Sequence, residues 1–148
     1  MAGVRFRATK SGITTGTSAK TLMQLVAAAN HAVLLDDIEV AFNGVSATAE
    51  PIRIRVLRQT TAGTVTSLTL VKDPDDSAET LQTTASHTAT AEPTASDVLL
   101  ETYCHPQTGW HWTVPRERAI KIGGGDRVGI EVLAAASVSA TVRAGGEE

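Results

Sequence analysis

From Asp37 onward the chain alternates apolar and polar residues. "DIEVAF" sets Ile38, Val40 and Phe42 against Asp37, Glu39 and Ala41, and "PIRIRVLRQT" sets Ile52, Ile54 and Val56 against Arg53, Arg55 and Leu57. Neighbouring residues of a strand point to opposite faces, so a period of two predicts strands with one buried face. Pro51 opens the second run, where a missing N–H does least harm. Asn43-Gly44 behind the first is a strong hairpin signal. Thr61-Ala62-Gly63 turns the chain into "TVTSLTLV", a further alternating strand that ends at Asp73-Pro74-Asp75-Asp76, where aspartates favour a turn.

The same punctuation continues. A weakly patterned stretch predicts a strand near Leu81 to Thr88 and a loop through Glu92-Pro93-Thr94. "DVLLETY", "GWHWTV", "AIKI", "RVGIEVLA" and "SVSATVR" read as strands, separated by Pro115–Arg118 and by Gly123-Gly124-Gly125-Asp126. Thr21 to Leu35 is ambiguous: Leu22, Leu25, Val26, Ala29 and Val33 match a helical face, yet the run also fits two strands broken at Ala29-Asn30. Roughly eight to ten short strands at sandwich spacing predict an all-β fold, an antiparallel β-sandwich of jelly-roll type over residues 21–144. Residues 1–20, rich in Gly, Ser and Thr, are expected to form a flexible, extended arm, and residues 145–148 a frayed polar tail.

Composition narrows the function classes. The chain has 148 residues, enough for one domain. Its net charge of −3, with no dense basic patch beyond Arg53, Arg55 and Arg58, argues against a nucleic-acid partner. No run reaches the ~18 apolar residues of a membrane helix, and Met1 to Lys10 lacks the apolar core of a signal peptide. The expectation is a protein made in the cytoplasm with no membrane partner. A single cysteine excludes an internal disulfide.

The reactive residues gather in "CHPQTGWHW", which holds Cys104, His105, His111, Trp110 and Trp112. Zinc needs three or four converging ligands, whereas adjacent strand residues Cys104 and His105 point to opposite faces; no metal and no other cofactor is expected. A cupin-like pair of metal-binding histidines fails because tryptophans stand where they would be. No Gly-x-Ser-x-Gly elbow surrounds a serine, so no catalytic residues are assigned and an enzyme is not expected. The glycine run before Asp126 lacks the Lys-Ser/Thr ending of a phosphate loop. The aspartate cluster at 73–76 does not match the spacing of an EF-hand. Trp110 and Trp112 share one strand face, which is either core or subunit interface, or an exposed platform for stacking sugar rings.

Several segments together resemble the small jelly-roll decoration, or cement, proteins of tailed bacteriophages. They are the "ANHAVLL" step, "IEVAFNG" followed by "TAEPIRI", the "HPQTGWHW" hairpin and "GGGDRVGIEVLAAASV", within residues 20–143. The resemblance implies two strands rather than a helix at Thr21 to Leu35. It implies a non-enzymatic virion protein, usually a homotrimer, on the outer surface of the head and bound to the major capsid protein. The arm would reach the shell, with Arg5, Arg7 and Lys10 meeting acidic capsid residues. A carbohydrate-binding module using Trp110 and Trp112, with a glycan as partner, and a phage tail or baseplate protein are the alternatives.

Overall fold

A computed structural model describes residues 3–43, 50–73 and 78–148. Their strands are β1 (Arg5–Thr14), β2 (Lys20–Val26), β3 (Val33–Asn43), β4 (Ile52–Gln59), β5 (Thr64–Leu68), β6 (Val71–Asp73), β7 (Thr84–Ala91), β8 (Ala95–Cys104), β9 (Trp110–Thr113), β10 (Ile120–Ile122), β11 (Arg127–Leu133) and β12 (Ser139–Glu147). A single 3₁₀ turn, Arg116–Arg118, separates β9 from β10. Thr21 to Leu35 forms two strands joined by a turn, with the helical face unused.

Two antiparallel sheets form a sandwich. One orders β10-β3-β12-β1-β6, with β9 also paired to β3, and the other β5-β7-β2-β11-β4-β8. The pairs β1 with β12, β2 with β11, β3 with β9 and β10, and β4 with β8 describe one long hairpin whose two arms run side by side. Wrapping that hairpin around a core makes consecutive strands alternate between sheets, which is the jelly-roll arrangement. Core-facing positions follow the period of two: Phe6 and Ala8 on β1, Ile38 and Val40 on β3, Ile52, Ile54 and Val56 on β4, Val128, Ile130 and Val132 on β11, and Ala140, Val142 and Ala144 on β12. Small residues on β12 let a sheet with few aromatics close on its neighbour.

The wrapping corrects three local readings. β3 and β4 lie in different sheets, so Asn43 does not open a hairpin between them; residues 44–49 lie outside the described residues. "TVTSLTLV" is divided at Thr69-Leu70, with β5 joining one sheet and β6 the other. The "HPQTGWHW" turn likewise carries the chain from one sheet to the other rather than closing a hairpin. The aspartate turn at 74–76 lies outside the described residues.

The terminal segments are also corrected. The arm expected over residues 1–20 does not hang free where it is described, from Gly3 onward: β1 sits between β12 and β6, and Phe6, Ala8 and Ile13 are buried. The polar tail is not frayed, because β12 runs to Glu147 and pairs with both β1 and β3. Val4 and Glu148 exchange backbone hydrogen bonds at 3.0 Å each way, and the Glu148 carboxylate accepts from the Gln82 and Thr83 N–H groups at 2.7 Å. The start looks polar because β1 is half solvent-facing, whereas the tail is polar in composition yet buried from Ala144 to Glu147 between β1 and β3.

Segments inserted between β4 and β8 elaborate the roll. β5 and β7 extend one sheet beyond β2, so the connections 60–63 and 92–94 must cross back over β2 and β11. They run side by side, with Thr60 N–H donating to the Thr94 carbonyl at 2.9 Å and Glu92 accepting from Thr21 N–H at 2.8 Å. Beneath them Gln24, Gln59 and Thr21, on the face away from the core, are buried. Gln24 Nε2 donates to Gln59 Oε1 at 2.6 Å and to the Thr61 carbonyl at 3.3 Å, and Gln59 Nε2 donates to Thr21 Oγ1 at 2.9 Å. Burying amides is tolerable only because they satisfy one another.

Candidate functional site

Cys104 ends β8 and is buried, and burial pushes its thiol pKa up, the condition of an unreactive cysteine. His105 anchors a tight turn: its carbonyl accepts from Thr108 N–H at 3.0 Å and Gly109 N–H at 3.1 Å. Gly109 has φ +66°, and a Cβ there would stand 2.8 Å from the Val40 carbonyl, so both conformation and space require glycine. Behind it β9 places Trp110 opposite Val40 and Trp112 opposite Ile38. Both tryptophans face inward and are half-buried against the core. They fill the rim of the sandwich and present no open platform.

His111 and Thr113, on the outer face of β9, meet Asp37 of β3. His111 Nε2 and Thr113 Oγ1 both lie 2.7 Å from the same oxygen, Asp37 Oδ1. The trio has hydroxyl, imidazole and carboxylate but not the order of a catalytic relay: both groups converge on one oxygen, and Thr113 Oγ1 is 3.4 Å from His111 Nε2. Asp37 is held below the usual carboxylate range; burial alone would raise it, and the bonds from Thr113 and His111, with Arg143 nearby, outweigh that. Among the described residues no group of three His, Cys, Asp or Glu side chains is placed to hold a metal ion.

This trio belongs to a charged face that spans the sheet. Arg143 lies 2.8 Å from Glu39 and 3.6 Å from Asp37, Arg116 lies 2.9 Å from Glu147, and Arg7 lies 3.0 Å from Asp73. Arg5 makes a two-pronged contact with Asp36 at 3.1 and 3.2 Å, which raises its pKa against the opposing effect of burial. A depression of about 310 Å³ is lined by Arg5, Asp36, Asp37, His111, Thr113 and Arg143. Its charges are paired within the sheet, leaving little free charge to attract an ionic ligand.

Arg5, Arg7 and Lys10 are therefore not a mobile basic patch. Arg5 and Arg7 point outward and are engaged by Asp36 and Asp73, whereas Lys10 stands opposite Val142 on the core-facing side of β1. There it faces the opposing sheet: burial first, and then the Lys10 charge, hold the His87 pKa down.

The outer face and edge of the other sheet differ. Arg55 forks onto Glu131, with Arg53 3.7 Å away, on the face away from the core. Beside them β8 forms the sheet edge, ten residues long and exposed over Ala95 to Val98. Val98 is 46% exposed and Tyr103 61% exposed, and with Val71 they are the exposed large apolar residues among those described. Asp97 and Glu101 on the same strand make no ion pair among the described residues. The sequence reading missed this edge. Its signal lies in "SDVLLETY", whose outer positions set Glu101 beside Val98 and Tyr103, but edge position is set by topology. No protein-family model, no curated protein and no solved structure matches the chain.

Proposed function

We propose that this chain is a non-enzymatic virion structural protein, a decoration protein that stabilises a phage head from its outer surface through contacts with the major capsid protein and with copies of itself in a trimer. The jelly-roll strand order carries this reading, since that architecture recurs in capsid components. It agrees with the phage-protein resemblance of residues 20–143. The contact surface differs from the one the sequence implies: with β1 inside a sheet, the sandwich faces and the β8 edge are what the protein offers a shell.

Co-expression with the major capsid protein of the same genome tests the reading. The chain is expected to co-sediment with assembled shells in a fixed ratio and, purified alone, to have the mass of three chains. Shells that sediment without it overturn the head assignment. A carbohydrate-binding module shares the fold class, but the inward, half-buried Trp110 and Trp112 lend it little support. Binding on a glycan array that Trp112→Ala abolishes would favour that alternative.

A further inference from the structure

We propose that the depression on the charged face, where β9, β3, β12 and β1 contribute side chains, binds a neutral sugar ring through Asp37, His111 and Arg143. Its volume of about 310 Å³ is at the lower end for small-molecule sites, which span roughly 300–1,000 Å³, and gives room for a single ring. The charges around it are matched, so no ion is selected: Arg5 is engaged by Asp36, and Arg143 is shared between Asp37 and Glu39. Hydrogen-bonding capacity is what remains for a ligand.

Asp37 sets the chemistry. His111 Nε2 and Thr113 Oγ1 both lie 2.7 Å from Asp37 Oδ1, which fills that oxygen. Asp37 Oδ2 accepts no hydrogen bond among the described residues, and Arg143 Nη2 stands 3.6 Å from it, beyond hydrogen-bond reach. A ligand hydroxyl fits beside the two, donating to the carboxylate and accepting from the guanidinium at about 2.8 Å from each. Neither a simple cation nor a simple anion does both. Arg143 Nε is also buried with no hydrogen-bond partner, so this guanidinium is under-satisfied within the fold. His111, with one ring nitrogen engaged by Asp37, keeps the other for a ligand, and its side chain is 52% exposed. Val114, half-buried in the lining, gives the C–H face of a ring an apolar neighbour. Strand register holds Thr113 opposite Asp37 and His111 opposite Glu39 before any ligand arrives, so little ordering entropy is lost on binding. A ring with neighbouring hydroxyls satisfies several of these groups at once and returns ordered water to solvent.

The site is separate from Trp110 and Trp112, which face inward from the same strand, and it stands or falls independently of the capsid reading. Glucose, galactose and mannose are titrated separately, at millimolar concentrations, into the full chain. At least one is expected to shift the amide resonances of residues 36–37, 111–114 and 143 saturably. Arg143→Gln, with its cooperative thermal transition retained, should weaken that binding about tenfold. A methyl glycoside that binds as well as the free hexose assigns a sugar within a chain, and binding by the hexose alone assigns a free sugar. The shift map is read in the unaltered chain, so it does not depend on a variant folding. No saturable shift with any of these hexoses, or equal binding by the folded Arg143→Gln variant, would overturn the proposal. So would acetate or methylammonium moving the same amides more strongly, which would make the site ionic. Binding kept by Arg143→Gln and lost in Trp112→Ala would overturn it by moving the sugar to the tryptophans.

Discussion

Single positions carry unequal weight. Gln59 is buried between Gln24 and Thr21 under the two crossing connections, so Gln59→Ala strands a donor and an acceptor; a loss of about 2–3 kcal/mol in urea unfolding is expected. Gly129 lies over the same amide, and any Cβ there collides with it, so Gly129→Ala should cost about 1–3 kcal/mol by overpacking. Asp37 and Glu148 both have pKa values lowered in the folded state: for Glu148 burial opposes the shift, and bonds from Thr83 and Gln82 outweigh it. A carboxylate held low in the fold adds stability that is full above its unfolded pKa, about 4, and is lost as pH falls through the folded value. The thermal midpoint should therefore drop on acidification below about pH 4, and Asp37→Asn should flatten that decline. These residues are legible in the sequence as types only. Nothing near Gln59 along the chain indicates that its partners are 35 and 38 positions away.

At the scale of elements, β1 shows how far a polar appearance misleads. Its outward Arg5, Arg7 and Thr9 dominate the composition, while Phe6, Ala8 and Ile13 are core. Deleting residues 2–18 removes a strand that β12 pairs along its length, so the truncated chain is expected to lose the cooperative thermal transition of the intact protein. An unchanged transition would mean that β1 is dispensable. β9 behaves similarly: Trp112→Ala opens the rim of the core, with an expected cost of about 2 kcal/mol and a loss of blue-shifted tryptophan emission. Strand existence was readable from alternation at β3, β4, β11 and β12, where the buried face is continuous. It was less readable at β5 and β6, short edge strands that bury little, and at β7, whose threonines and alanines give a weak pattern.

For the whole molecule the decisive fact is that the two arms of the long hairpin meet across most of the chain: β1 with β12, β2 with β11. Such pairings close large loops before contacts repay them, so refolding is expected in milliseconds to seconds or slower, measurable by stopped-flow fluorescence of Trp110 and Trp112. By itself the sequence determined the class of the fold, because alternation, turn residues and the scarcity of helical periodicity are local properties of the chain. It also established that "CHPQTGWHW" is a connection between strands, since adjacent residues on a strand cannot converge on one ligand. Only the tertiary structure decided which strands are neighbours, that β1 and the end of β12 are held in the sheet, that the tryptophans turn inward, and that β8 ends its sheet. Those depend on sheet order, and sheet order is set by the simultaneous burial of many distant faces, a quantity that no short stretch of sequence contains.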